Sequence, residues 1–294
     1  MLRLITRSAA VLCALLLLTS CGGSGNSLPN LYLYMADAPI DEANSVDITL
    51  SEIDVTGDEG TQYFPFSSPV TLNFYQLQGG LSQFVLSAPL PAGHYTSITL
   101  YFEAAPGTLD SSISLIGNGN TYPLVIPAGA PTAFTLPVNF IVIQNINASY
   151  TVDLDLRRSI YVDPTNPEQY ILQPALRAVN NSDYGTFTGT VANTLISSGC
   201  SGAVYVYSGK VTPTDVNINA PSGTVQPISS ALVGVNSTTA LNNFTVSFLP
   251  PGLYTLAFTC QAAEDDPTKT DNIQFISTTT ATVVNGQTTF ISLN

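Results

Sequence analysis

The sequence predicts an all-β molecule, with two tandem antiparallel β-sandwich domains behind a short export segment and a flexible tether. Three observations carry that expectation. Only 9% of the 294 residues are charged, against a typical fraction of roughly 25%, while 45% are hydrophobic, so the polar surface is made of Ser, Thr, Asn and Gln rather than Lys- and Glu-rich helical faces. Apolar residues alternate with a period of two in run after run, bounded by Gly, Pro, Asn and Asp clusters. The phrase "LPAGHYT" at 90–96 returns as "LPPGLYT" at 249–255, once in each half of the chain.

The N-terminus is an export signal over residues 1–20. Arg3 and Arg7 precede an apolar run, Ala9 to Leu18, that is too short to remain in a bilayer as a spanning helix. It ends in "LLTSC", which resembles the bacterial lipobox, with Leu18, Thr19 and Ser20 before Cys21. The resemblance implies lipidation of the Cys21 thiol, cleavage after Ser20 and N-acylation, which together exceed the two-signal requirement for stable anchoring. Residues 21–29, lipidated Cys21 and a Gly/Ser-rich stretch, then form the tether. Gly22 stands where an inner-membrane retention signal has Asp, which implies the outer membrane, with the protein on its periplasmic or exposed face.

Charge narrows the partners. Residues 1–20 hold Arg3 and Arg7 and no acid, so their removal takes the net charge from −13 to −15. No Lys or Arg occurs from Gly22 to Leu156. Phosphate backbones are held by clustered Lys and Arg, so nucleic acid is excluded, and an acidic surface leaves the lipid as the sole membrane contact.

The first sandwich is expected over 30–180. In "SVDITLSEIDV", Val46, Ile48 and Leu50 share one face and Ile53 and Val55 fall on the other parity, which calls for a bulge near Ser51 or Glu52. "TSITLYF", "YPLVIPAG", "AFTLPVNFIVI" and "SYTVDLDL" are further strands, and "NFYQLQGGLSQF" is the one helical turn, with Phe74, Leu77 and Leu81 on one side. Asn180 to Asp183 make a polar linker. The second sandwich, over 185–294, is expected from "FTGTV", "GAVYVYS", "ALVGV", "FTVSFLPPGLYTLAFTC", "DNIQFIS", "TATVV" and "TTFISLN". The repeated phrase is a Pro-x-Gly turn that permits positive φ at Gly93 and Gly252, with Tyr95 and Tyr254 opening the strand that leaves it. After it the apolar residues are Ile98, Leu100 and Phe102 in one half but Tyr254, Leu256 and Phe258 in the other. These are opposite parities, which favours convergent turn chemistry over a duplicated register.

"YMADAPIDEANSVDITLSEIDV", "LPAGHYTSITLYF", "YPLVIPAG" and "VDLDLRRSIYV" with "YILQPALRAV" resemble the domain of unknown function 4382 of exported bacterial lipoproteins, over roughly residues 30 to 180. "GTFTGTV", "GAVYVYS" and "FLPPGLYTLAF" resemble the carboxypeptidase regulatory-like and Cna-B-like prealbumin sandwiches, interrupted by "SGKVTPTDVNINAPSGTVQPIS". Neither resemblance implies a reaction. Some Cna-B domains carry isopeptide bonds, but Lys210 and Lys269 are both placed in loops here.

Chemistry-bearing residues are few. Cys200 and Cys260 remain once the signal and the lipid have taken Cys13 and Cys21, and an exported protein is expected to oxidise such a pair. A zinc site is not expected from two Cys and one His. That histidine, His94, lies in a turn and there is no GxSxG elbow, which excludes serine-hydrolase machinery. Asp153 and Asp155 share one face of a strand about 7 Å apart, a spacing that glycosidases also use. They are expected to face solvent or to pair with Arg157 or Arg158, forming with Asp37 an acidic, ion-paired site. "DAPIDE", "TGDEG" and "AEDDPTKTDN" offer loop oxygens for calcium, with Asp58, Glu59, Glu264, Asp265 and Asp266 as candidate ligands, and no other cofactor is indicated. Tyr205 and Tyr207 form a stripe suited to stacking on sugars or to lining a half-buried sheet. These features favour a non-catalytic binding or structural module whose partner is a polysaccharide or another envelope protein. A carbohydrate-processing hydrolase using Asp153 and Asp155, and a purely architectural spacer, are the alternatives.

Overall fold

The computed structural model describes residues 28–117 and 119–294; the lipidation expected at Cys21, the signal over 1–20 and the tether up to residue 27 lie outside them. The first half contains β1 (Asn30–Ala38), β2 (Ala43–Gly57), β3 (Gly60–Asn73), β4 (Gln83–Pro89), β5 (Gly93–Glu103), β6 (Ser112–Leu115), β7 (Thr121–Val125), β8 (Ala133–Val142) and β9 (Ala148–Asp155). A single helical turn, α1 (Leu156–Ser159), follows, then β10 (Ile160–Asp163), β11 (Asn166–Leu172) and β12 (Leu176–Asn180). One sheet has the order β12-β9-β1-β4. The other runs β10-β11-β7-β6-β2-β5-β8, with β3 hairpinned onto β2. Leu31, Leu33, Ile48, Leu50, Ile53, Leu100, Val152 and Leu154 from both sheets close the core between them.

The expected bulge is present. Pairing of β2 with both β3 and β5 shifts between Leu50 and Glu52, so Leu50 and Ile53 are both fully buried although their parities differ. A second shift, between Tyr95 and Ser97, lets Tyr95 and Ile98 both point inward. Phe74 and Leu77 are buried in a 3-10 turn, Phe74–Leu77, but Leu81 is 62% exposed because two glycines, Gly79 and Gly80, turn the chain before it.

The second half contains β13 (Gly185–Val191), β14 (Ala203–Ser208), β15 (Ser229–Leu232), β16 (Gly234–Val235), β17 (Asn242–Leu249), β18 (Gly252–Thr259), β19 (Ser277–Val283) and β20 (Thr288–Leu293). Its sheets, β16-β17-β13-β20 and β15-β14-β18-β19, enclose Phe187, Val204, Val206, Phe244, Leu256 and Phe258. Most pairings in both sandwiches are antiparallel, while β1–β9, β7–β11 and β13–β20 are parallel.

The repeated phrase makes the same contact twice. Tyr95 donates its hydroxyl hydrogen to the Pro91 carbonyl at 2.8 Å, and Tyr254 donates to the Pro250 carbonyl at 2.7 Å. Both rings are buried. Contrary to the sequence expectation, neither Gly93 nor Gly252 takes a positive φ. Each is already the first residue of an extended strand, and the tyrosine four residues beyond the proline closes the turn.

Two further expectations are corrected in the second sandwich. "DNIQFIS" forms strand only from Ser277, because Phe275 crosses over the sheet to meet the rings of Tyr205 and Tyr207 at centroid distances of 5.5 and 6.3 Å. Tyr205 and Tyr207 are consequently fully buried, beneath Phe275, Val216 and Val211, and offer no stripe to a sugar. Cys200 and Cys260 are bonded, with Cα atoms 4.5 Å apart, and join the approach to β14 to the exit of β18. By the chain-entropy argument the 60-residue separation gives the bridge an upper bound of about 4 kcal/mol. Cys200→Ser with Cys260→Ser is therefore expected to lower unfolding stability by about 2–4 kcal/mol in urea titration, and an unchanged midpoint would rule out a stabilising role.

Candidate functional site

The face of β9 that carries Thr151, Asp153 and Asp155 turns away from the first core, toward the second sandwich. Asp153 and Asp155 are 4% and 5% exposed, so the expectation that they face solvent is corrected: the second sandwich covers them. Their partners differ from those expected as well. Asp153 pairs with Arg177, its cross-strand neighbour on β12, and the same guanidinium donates to the Phe248 carbonyl of the second sandwich. Asp155 caps α1 by accepting from the Arg158 amide at 3.2 Å.

α1 also sets the direction of Arg157. This side chain is 4% exposed and leaves the first sandwich to enter the second. It forms an ion pair with Asp41, donates from Nη1 to the Ala262 carbonyl at 2.8 Å and from Nε to Ser230 at 3.4 Å, and lies 5.2 Å from the centroid of the Tyr205 ring. Burial opposes its charge, but Tyr205, Asp41 and Asp265 outweigh that penalty and raise its pKa. Asp41 accepts in addition from Ser201 at 3.1 Å, and the Ala262 amide donates to the Ser201 carbonyl. The two segments that meet Asp41 and Arg157 thus begin at the bonded cysteines.

Behind this clamp lies a small apolar seam of Ala36 and Val179 from the first sandwich with Phe248 and Tyr184. Phe248 holds φ at 56°, an unfavourable angle for a residue with a side chain, and its carbonyl is the one that Arg177 takes. Gly80 packs against Ser247 so closely that a Cβ there would collide with the serine hydroxyl. Asp37, at the end of β1, is 7% exposed, and neither carboxyl oxygen has a hydrogen-bond partner. Burial first, then Asp153 and Asp155, push its pKa well above the ordinary carboxylate range, and the charge of Arg157 opposes them only weakly.

Beside the clamp an open cleft of about 630 Å3 runs between the sandwiches. One side is the sheet face of the first sandwich, with Ile113, Leu115, Ile160, Val162 and Tyr170; Val162 and Tyr170 stand opposite each other in the β10–β11 ladder and so share that face. The other side is made of Ile218, Asn219, Ala263, Asp266 and Thr268 from the second sandwich, and Arg157, Asp41 and Glu42 also line the cleft. Its size lies within the range of small-ligand sites, roughly 300–1,000 Å3.

The remaining predicted residues are scattered. Asp58 and Glu59 sit at the β2–β3 turn, where Asp58 lies 3.3 Å from His94 and Asn139 bonds the other ring nitrogen at 2.8 Å; hydrogen bonds with Asn139, then Asp58, raise the histidine pKa. Glu264 accepts from Gln261. Asp265 accepts from the Tyr205 hydroxyl and the Val216 amide, while Asp266 accepts from Thr268 and pairs with Lys269. These contacts hold the loop and tie it to β14, and among the described residues no group of three or more acid, Cys or His side chains gathers to hold a metal. Sequence reasoning missed Asp41, Arg177 and Tyr170, although all three lie inside the quoted segments "YMADAPIDEANSVDITLSEIDV" and "YILQPALRAV".

Two outcomes follow for the clamp. Arg157→Ala leaves Asp41 without its cation and is expected to cost about 3–5 kcal/mol in urea titration; a loss below about 1 kcal/mol, the value of an exposed pair, would show the pair to be superficial. Burial raises Asp37 well above its ordinary range and is the leading cause that pushes Asp155 and Asp265 up to about 6. Raised acids contribute stability that is complete below the unfolded value near ~3.9 and lost as pH climbs through the folded value. The melting midpoint is therefore expected to rise as pH falls from about 7.5 to about 5.5, and Asp37→Asn to raise it at pH 7.5 and flatten the dependence. A fall on acidification would contradict this.

No curated protein matches the chain. Among solved structures it is similar to the minor pilin GBS52 of Streptococcus agalactiae, at 13% identity over 89% of this chain and 93% of that one, with a TM-score of 0.19. It is similar also to the fimbrial anchor protein Mfa2 of Porphyromonas gingivalis, at 12% identity over 83% of each chain and a TM-score of 0.19. The Bacillus anthracis TIE protein is matched at 10% identity over 91% of this chain but 34% of that one, with a TM-score of 0.20. Superpositions this loose carry no function across. Residues 30–174, which hold β1 to β11, match the family described as Domain of unknown function (DUF4382), and this stretch is a DUF4382 domain joined to a further β-sandwich region.

Proposed function

We propose that the chain is a lipid-anchored, non-catalytic binding module of the bacterial cell envelope, and that its ligand site is the cleft between the sandwiches. The cleft itself carries this reading: it is ligand-sized, and the buried Arg157 contacts fix one sandwich against the other beside it. The hydrolase alternative loses support from the same geometry. Asp153 is held by Arg177 and Asp155 by the α1 amide, and neither lines the cleft. Anchoring at Cys21 rests on the lipobox resemblance. It suits the direction of β1, which leads from Asn30 to Ala38 over about 26 Å and so sets the clamp away from the tether. A prealbumin-type second domain is supported by its two packed four-stranded sheets.

Two experiments test the parts separately. Cys21→Ser is expected to move the exported protein from the membrane to the soluble fraction, and retention in the membrane would reject the anchor. For the cleft, the soluble chain from residue 27 onward is melted with neutral oligosaccharides, acidic polysaccharides and cationic peptides. Ligand at about 100 times Kd adds close to 2.7 kcal/mol to the folded state. A shift abolished by Ala263→Trp, a bulky change at an exposed position of the cleft, is the expected result. No shift with any class would favour the spacer.

A further inference from the structure

The lining of the cleft restricts the chemistry of what enters it. Resting on the reading of the cleft as the ligand site, we infer that its ligand is a neutral oligosaccharide, stacked on Tyr170 and hydrogen-bonded by Asn219 and the carboxylates at the rim. The charges decide between classes. Among the described lining residues Arg157 is the one cation: its Nη1 and Nε are taken by Asp41, the Ala262 carbonyl and Ser230, and its Nη2, which has no partner, is itself buried and not presented to the open cleft. A sulfate, phosphate or uronate would meet Asp41, Glu42 and Asp266 with no exposed cation among the described lining residues to hold it, in a chain of net charge −13.

A basic peptide fares little better. Asp41 is neutralised by Arg157 and Asp266 by Lys269, while Asp265 gives its Oδ2 to Tyr205 and the Val216 amide and keeps its Oδ1 buried without a partner. Glu42 is the exposed carboxylate left to receive an incoming ammonium or guanidinium, while the unpartnered Asp265 oxygen is buried. An exposed pair contributes little, and drawing a cation down to Asp265 would cost hydration that a single carboxylate oxygen does not return.

The uncharged surface has the complementary form. Tyr170 is half-buried, with its ring 5.7 Å from that of Tyr122, and Val162 and Leu115 continue the apolar face beside it. Around this face stand oxygens and amides: Glu42, Asp266, Gln173, Asn219 and Thr268. A sugar ring presents an apolar C–H face and a perimeter of hydroxyls, which donate to carboxylates without placing a charge in the cleft. Aromatic rings with one apolar side and a polar edge suit such a ligand. The volume admits about two or three sugar rings.

The test uses calorimetric titration and melting of the same soluble chain with neutral trisaccharides of glucose, mannose and N-acetylglucosamine, with alginate and heparin oligosaccharides, and with a Lys/Arg decapeptide. Binding of at least one neutral trisaccharide is expected, weakened about tenfold by Tyr170→Ala. Since Tyr170 also packs on Tyr122, and the Asn219 amide holds the Thr268 carbonyl at 2.8 Å, Glu42→Gln at an exposed position is the second variant, expected to weaken binding without moving the unliganded melting midpoint. Binding of neutral sugar that survives both variants and Ala263→Trp overturns the site. Binding of only the decapeptide or only the acidic oligosaccharides, abolished by Ala263→Trp, overturns the sugar class and leaves the cleft as a ligand site. Silence from all three classes overturns both.

Discussion

A guanidinium removed from water must be compensated for its lost hydration, and the joining of the two sandwiches is organised around that demand at Arg157, whose Nη1 and Nε are partnered while Nη2 is left without a hydrogen bond. Its partners come from three separated stretches: Asp41 beyond β1, Ser230 in β15 and Ala262 beyond β18. None alone would offset the desolvation of a charge this deeply buried. Supplying them together requires the cysteine-bonded segments of the second sandwich to lie against the end of β9, and that docking in turn buries Asp153, covers Asp155 and shapes one side of the cleft. Arg177 repeats the device on a smaller scale, bridging Asp153 to a carbonyl of the opposite sandwich. Two cations from a chain with few of them are thus spent on one seam.

The seam also holds two groups in unfavourable surroundings. Phe248 keeps a left-handed backbone and Asp37 is buried with both oxygens unpartnered. A left-handed non-glycine residue costs on the order of 1–3 kcal/mol and persists where its surroundings dictate it. Here the surroundings are explicit: the Phe248 ring fills the space between Ala36, Val179 and Tyr184, and its carbonyl meets Arg177. Favourable packing and ion pairing on one side of the seam offset unfavourable backbone and burial on the other. The balance at this joint is therefore finer than inside either core.

The architecture was legible in the sequence because a β-strand writes itself with period two, and even the bulge between Leu50 and Glu52 announced itself as a change of parity. The disulfide followed from cysteine counting. Errors arose where a side chain is governed by something distant in sequence. Alternation in "SYTVDLDL" shows that Asp153 and Asp155 leave the first core, but not that a second sandwich waits on the other side. Tyr205 and Tyr207 likewise show two-faced burial only when Phe275 and the 209–228 excursion are folded over them. The glycines of the repeated turn misled because a tyrosine hydroxyl, four residues beyond the proline, does what a left-handed backbone was expected to do. The cleft had no local signature at all, since its sides come from strands and loops about a hundred residues apart.

The placing of β1 has a mechanical meaning. It lies inside its sheet, parallel to β9 on one side and antiparallel to β4 on the other, and it is the first strand among the described residues. Tension applied between Asn30 and the clamp runs along this strand, across rungs of hydrogen bonds that stand perpendicular or slanted to the pull. Such rungs share the load and must break together, whereas a strand peeled from its end gives them up one at a time. A molecule held at one end and loaded at the clamp therefore meets the force in its stiffest direction.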